Sequence, residues 1–358
     1  MLRTPLYEEH QKLGASFTDF GGWEMPVRYG SDLDEHHAVR NSAGLFDISH
    51  MAEFEVSGDA ASFLDYALVS KLSELAEGRA KYSLICAQDG GAIDDLIVYR
   101  RSSDFLIISN AANRAAVGEA LTSYSSNFDV VINDCSAELS LIAIQGPNAT
   151  GILQSQASID LAPLRYYSIA EGELAGIPVS FCRTGYTGED GFELLVDNGS
   201  AAELWAKLLE FGGDDLKPCG LASRDTLRLE AGMPLYGHEL NSTLTPMNAG
   251  LGKVVRFDKE SFVGKDALAQ RQNDPPQLHG LIGEGRRAAR ADYEIFEPGG
   301  QNPIGKVTSG VLSPTLGYPI AMALLAGNYA EGTELEADVR GQRVGYKVTR
   351  LPFYKRGK

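Results

Sequence analysis

The chain has 358 residues, 44% of them apolar, with 48 acidic against 32 basic side chains and a net charge of −16. That length implies two or three domains with sizeable cores, and the composition excludes a disordered chain. The acidic balance argues against a broad nucleic-acid interface, which needs a basic face. Apolar runs such as IAMALLA (320–326) are far too short to cross a bilayer, so no membrane association is expected. Cys86, Cys135, Cys182 and Cys219 are widely spaced with no CxxC pair, which fits a reducing compartment. The N-terminal stretch MLRTPLYEEHQKLGAS carries no apolar signal region, so the expected location is the cytoplasm.

Residues 60–75 (AASFLDYALVSKLSEL) carry apolar side chains at helical spacing and predict a helix. Residues 90–100 read GGAIDDLIVYR: a two-glycine turn, then a strand headed by two acids. Side chains on a strand alternate, so only one of the two shares a face with Ile97 and Tyr99, and spacing makes it Asp95. Asp94 is then expected to point outward and to help the turn. Residues 95–99 (DLIVY) and 104–109 (DFLIIS), joined by polar residues, read as a hairpin. A helix over 113–121, strands over 139–146 and 177–183, and a helix over 201–211 follow. Residues 218–232 (PCGLASRDTLRLEAG) predict a helix closed by Gly232 and followed by Pro234. The polar QRQNDPPQLH (270–279) reads as a linker, and beyond it short strands spaced by turns predict a small β-barrel. The fold class is α+β, with a first region over 1–270 built of two intertwined α+β domains and a C-terminal barrel domain over 277–358.

Several common sites are absent from the sequence. The GK dipeptides lack the remainder of a P-loop, no GxGxxG joins a strand to a helix, and no GxSxG is present. His36 and His37 are adjacent and diverge on a helix, and the six histidines show no ligand spacing, so no metal site is expected. Glu193 lies in GYTGEDGFELL (185–195) among Phe192, Leu194 and Leu195. It either faces solvent or accepts paired N–H donors from a ligand, since an isolated buried carboxylate is costly. Arg224 and Arg228 fall at i, i+4 on one helix face; either Asp225 and Glu230 neutralise them or they serve a ligand. Tyr82, Tyr99 and Tyr186 read equally as core aromatics or as flat faces for an aromatic ligand.

The order of motifs goes further than any one of them. FGGWEMPVRYG (20–30), FDISHM (46–51), GGAIDDLIVYR (90–100), IQGPNA (144–149) and RTGYTGEDGFEL (183–194) occur in succession. GLASRDTLRLEAGMPLYGHEL (220–240), FVGKDAL (262–268), GKVTSGVLSPTLGYPIAMA (305–323) and LPFYKR (351–356) follow. Together they resemble the aminomethyltransferase family, the T-proteins of the glycine cleavage system, along essentially the whole chain. The resemblance implies three domains in a cloverleaf around a central folate channel. It implies transfer of a one-carbon unit from the aminomethyl-dihydrolipoyl arm of a carrier H-protein to tetrahydrofolate, with release of ammonia.

By the same resemblance Asp95 takes the place of the catalytic aspartate. Met51, Tyr82, Tyr99, Ile108, Asn110, Tyr186, Glu193 and Arg224 correspond to folate-contacting positions, with Glu193 on the amino-pyrimidine edge of the pterin. Tyr166 is a weaker match, and Lys253 stands in a segment where the family often has an aromatic. The basic cluster Arg286, Arg287 and Arg290 matches a region near the H-protein. Two relatives of the family remain as alternatives: a tetrahydrofolate-dependent demethylase, and a non-catalytic folate-binding factor in iron–sulphur cluster assembly. The latter carries a KGC-type motif where this chain reads SFVGKDALA, without cysteine.

Overall fold

A computed structural model describes residues 1–357. Three sheet-built bodies, their covering helices and a two-stranded sheet of Ser16–Phe20 with Trp23–Arg28 make up the described residues. The first sheet has five strands in the order Ala80–Cys86, Ala92–Arg100, Phe105–Ser109, Ala52–Gly58, Val130–Asp134. The second has six, in the order Ile169–Leu174, Ile177–Cys182, Gly191–Asp197, Leu139–Gln145, Ala43–Asp47, Leu216–Pro218. The third closes into a six-stranded antiparallel barrel starting at Gln277–Gly283 and ending at Gln342–Thr349, which pair with each other. Closure leaves that barrel without a free edge. The α+β class and the terminal barrel expected from the sequence are both present.

Alternation along the two-acid strand sorts its side chains between two cores. Leu96 and Val98 pack with Phe54, Phe63, Leu64 and Ile107 inside the first sheet's own body. Ile97 and Tyr99 face the other way, into a cluster with Phe46, Ile108, Leu195 and Leu227 that joins the first sheet to the second. The expected hairpin is there, with Leu96 opposite Ser109 and Ile97 opposite Ile108. Asp95 lies on the joining face as expected. Asp94 does not point outward: it is 0% exposed, on the core side of the strand.

The helix expected over 60–75 spans only Ala60–Ala67. Leu68 is already extended, and the Lys259 ammonium donates to the carbonyls of Asp65 at 2.6 Å, of Leu68, and of Ser70 at 2.9 Å. A distant cation thus takes carbonyls that a longer helix would have used internally. The helices expected near 113–121 and 201–211 run over Arg114–Tyr124 and Asn198–Gly212.

The arginine helix, Leu221–Glu230, starts at a point of close approach. A Cβ on Gly220 would sit 2.4 Å from the Val27 backbone, so only glycine lets the helix begin against the strand Trp23–Arg28. It ends at Gly232, whose φ of 65° is left-handed, with Gly232 N donating to Leu229 O and Met233 N to Arg228 O. That end sits against the barrel. The Glu230 carboxylate, 0% exposed, accepts from Ser313 Oγ, from Thr315 N at 3.0 Å and Thr315 Oγ1 at 2.8 Å. It also accepts from Arg40 Nη2 at 2.7 Å, on the helix Asp32–Asn41.

Candidate active site

Between the first and second sheets, beside the arginine helix and the segment that follows it, lies a cavity of about 520 Å³, within the range of small-molecule sites. Its wall includes Phe20, His50, Met51, Tyr82, Asp95, Ile97, Ile108, Asn110, Tyr186, Glu193 and Arg224. A second concavity, about 790 Å³, runs along the helix Arg114–Tyr124. It is an open surface groove whose Arg114 is already paired with Asp134 at 2.8 Å.

Asp95 is held at both oxygens. Tyr82 Oη donates to Oδ2 at 2.9 Å, and Asn110 Nδ2 donates to Oδ1 at 2.9 Å. Tyr82 comes from the neighbouring strand and Asn110 from the residue just after the hairpin's second strand, so sheet register sets both contacts. Burial raises the proton affinity of Asp95, against the lowering effect of those two donors. No lysine, arginine or histidine pairs with it among the described residues.

Glu193 is 7% exposed, on the face shared with Leu195. Its Oε2 accepts from Thr184 Oγ1 at 2.6 Å, and Thr184 is bonded in turn to Tyr99 Oη at 2.7 Å. The other oxygen, Oε1, has no protein partner among the described residues. Burial raises the proton affinity of this carboxyl as well. The solvent-facing alternative for Glu193 is therefore excluded, and its remaining acceptor capacity is available to a ligand.

Arg224 stacks over the Tyr186 ring, 4.9 Å from its centroid, and its Nη1 is buried without a hydrogen-bond partner. Neutralisation by Asp225 does not occur, because Asp225 pairs with Arg228 at 2.7 Å. Arg228 is otherwise consumed by structure, bonding Glu239 and, at 2.8 Å, Ser309 of the barrel.

Tyr99 is not in the cavity wall. It is 0% exposed behind it, and reaches the site only through Thr184 and Glu193. Tyr166 and Lys253 are also outside the wall, and Arg286, Arg287 and Arg290 lie exposed on the barrel away from it. Arg287 bonds Gln342, and Arg290 donates to Gly310 O at 3.1 Å.

Sequence reasoning missed His50, Phe20 and Tyr236, all in the wall. Burial lowers the His50 imidazole to about 4, so it is neutral at physiological pH, and its Nδ1 lacks a partner. Tyr236 donates to Ala92 O at 3.0 Å, tying the segment after the arginine helix to the two-acid strand. The signal for His50 was its place in FDISHM; a lone histidine has no spacing pattern to betray it. Among the described residues no group of three or more His, Cys, Asp or Glu is arranged to hold a metal, and no helix is long and apolar enough to cross a membrane.

Comparison with known proteins agrees with the geometry. Residues 6–259 match the family model for the GCVT N-terminal domain, and residues 277–355 match that for the glycine cleavage T-protein C-terminal barrel domain. The chain is 53% identical to an aminomethyltransferase of Cutibacterium acnes, over 99% of this chain and 98% of that protein. It is 50% identical to an aminomethyltransferase of Corynebacterium aurimucosum, over 100% and 99%. The crystal structure of glycine cleavage system aminomethyltransferase T from Bartonella henselae superposes with a TM-score of 0.92 at 36% identity, covering 99% of this chain and 98% of that one. With both domain families matched in order and whole-length relatives at half identity, the chain belongs to the glycine cleavage T-protein family of aminomethyltransferases.

Proposed function

We propose that the central cavity performs the tetrahydrofolate-dependent aminomethyltransferase reaction, with Asp95 as its catalytic carboxylate. The reaction moves a one-carbon unit from the aminomethyl-dihydrolipoyl group of H-protein to tetrahydrofolate. Its products are methylenetetrahydrofolate, ammonia and the dihydrolipoyl carrier. The observation that carries the assignment is a half-buried carboxylate gripped at both oxygens, in one cavity with a second carboxylate that keeps a free acceptor oxygen.

The donor set fits a folate. Glu193 offers a carboxylate oxygen to the paired N–H donors of an amino-pyrimidine edge. Tyr82 and Tyr186 present flat faces, and Met51, Ile97 and Ile108 supply apolar wall. Asp95 holds or takes a proton at a fixed oxygen, and its negative charge favours cationic character developing beside it. A proton affinity raised by burial brings it closer to working pH than an exposed aspartate. Tyr99 supports Glu193 from behind rather than meeting the ligand.

The exposed Arg286, Arg287 and Arg290 form a basic spot on an acidic chain, suited to steering an acidic carrier such as H-protein. The cytoplasm is the location consistent with four free cysteines.

Incubation with aminomethylated H-protein tests the reading. Ammonia release that requires tetrahydrofolate is expected, and its absence would overturn the assignment in favour of a carrier-independent demethylase or a non-catalytic folate binder. Glu193→Ala should weaken tetrahydrofolate binding by about 1–3 kcal/mol, roughly 5- to 150-fold in Kd, because ligand donors lose their acceptor. Titration calorimetry reads this directly, and an unchanged Kd would remove Glu193 from the pterin site.

A further inference from the structure

Asp94 and Asp95 point to opposite faces of one strand, yet a single side chain joins them. Asn110 Nδ2 donates to Asp94 Oδ1 at 2.8 Å and to Asp95 Oδ1 at 2.9 Å. Asn110 also donates its backbone N–H to Asp94 Oδ2 at 2.8 Å, and Asn113 Nδ2 donates to Asp94 Oδ1 at 2.6 Å. Asp94 is 0% exposed and thus accepts three donors from the segment that follows the hairpin. It has no part in the turn at Gly90–Gly91 and does not touch the cavity.

We propose that Asp94 is a positioning residue of the transfer reaction: acting through Asn110, it fixes how Asp95 is presented and turns the Asn110 carbonyl toward the ligand. The proposal rests on the reading of Asp95 as the reacting carboxylate.

Asp94 and Asp95 each present an acceptor oxygen to Asn110, so the amide NH₂ is held toward both. Asn110 Oδ1 is thereby turned away from the acids. It has no protein partner among the described residues, and Asn110 lines the cavity. It is left as an acceptor for a ligand N–H. The two carboxylates also act on each other as like charges, each favouring the protonated form of its neighbour, and titrate as a pair. The other titratable groups facing them are Tyr82 on the neighbouring strand, Tyr236 after the arginine helix, and Tyr167 and Tyr186 from the second sheet's side. All four phenols are raised above their ordinary range, chiefly by burial, so they stay neutral where the carboxylates titrate.

Asp94→Asn keeps the shape and removes the charge. Turnover with loaded H-protein should fall by about tenfold or more, since the reacting group loses its fixed geometry. The acid limb of the kcat/KM profile should move to lower pH, because Asp95 no longer has a charged neighbour. Asn113→Ala, a half-buried position, removes one donor from Asp94 and so favours its protonated form, and its acid limb should move the same way by a smaller amount. Movement to lower pH in both variants, larger in Asp94→Asn, is the result expected. Native turnover in Asp94→Asn, or a fall in turnover with the acid limb unmoved, would reduce Asp94 to a structural role and overturn the proposal. Should Asp94→Asn fail to fold, an unmoved limb in Asn113→Ala overturns it alone. Asp95→Asn in the same assay separates the two levels: full activity there defeats the underlying reading itself.

Discussion

Asp95→Asn should reduce turnover by about 10²–10⁴-fold, the range for losing a positioned acid–base group, while tetrahydrofolate binding stays close to native. The amide preserves the volume and its oxygen can still accept from Tyr82, while its NH₂ faces Asn110 in place of an acceptor. What disappears is the charge and the capacity to exchange a proton. Steady-state kinetics with loaded H-protein, paired with a folate Kd, tests both halves. Near-native turnover would rule out Asp95 as the reacting carboxylate, and an equal collapse of folate affinity would make it a binding group instead. Stability gives an internal control. Because burial raises the folded-state proton affinity of Asp95, its ionisation at neutral pH costs stability, and that cost is absent below the unfolded-state value. Asp95→Asn should therefore melt no lower than the parent at pH 7, which separates lost chemistry from lost fold.

Glu230→Ala should be the most damaging substitution for the fold, costing about 3–5 kcal/mol, the range for breaking a buried ion pair from one side. Glu230 gathers Arg40, Ser313 and Thr315 at one point, and His36 lies 3.3 Å away. Arg40 also donates to Glu189 at 2.9 Å and stacks on Tyr354, 4.0 Å from its ring centroid. Removing the carboxylate leaves that guanidinium buried with one of its two carboxylate partners. Burial works against the charge on Glu230, but His36, Ser313 and Arg40 outweigh it and hold the carboxyl down at about 2. A depressed acid contributes its stability above the unfolded-state value and loses it as pH falls toward about 2. Denaturant unfolding at neutral pH measures the loss. A change within the range of an exposed pair, about 1 kcal/mol or less, would show that the cluster is not the clamp its geometry describes.

Local patterning was enough to read the hairpin, the glycine-ended arginine helix and the short turn-spaced strands of the terminal barrel, because each depends on neighbours close in sequence. The side of the strand that carries Asp95 was legible for the same reason. What escaped was set by distant residues. The helix over 60–75 stops early because Lys259, nearly two hundred positions on, takes its carbonyls. Asp94 reads as a turn acid until Asn110 and Asn113 fold back onto it. Tyr99 has the right face but lies one layer too deep, because Thr184 and Glu193 stand between it and the cavity. His50 has no sequence partner at all and becomes a wall residue only when two sheets close over it. The order of motifs carried the function; the pairing of side chains within the site came from the fold.

The arginine helix has one further consequence. Within ten residues it carries Arg224 in the cavity wall, Arg228 bonded to the barrel, and Glu230 at the junction. Its backbone hydrogen bonds make these three a rigid rod, so displacing either end moves the other. The barrel is therefore no detachable appendage: it acts as a buttress, and a ligand gripping Arg224 braces it from the far side. A ligand that binds only the folded cavity stabilises the folded chain as a whole, by an amount set by its concentration relative to its Kd.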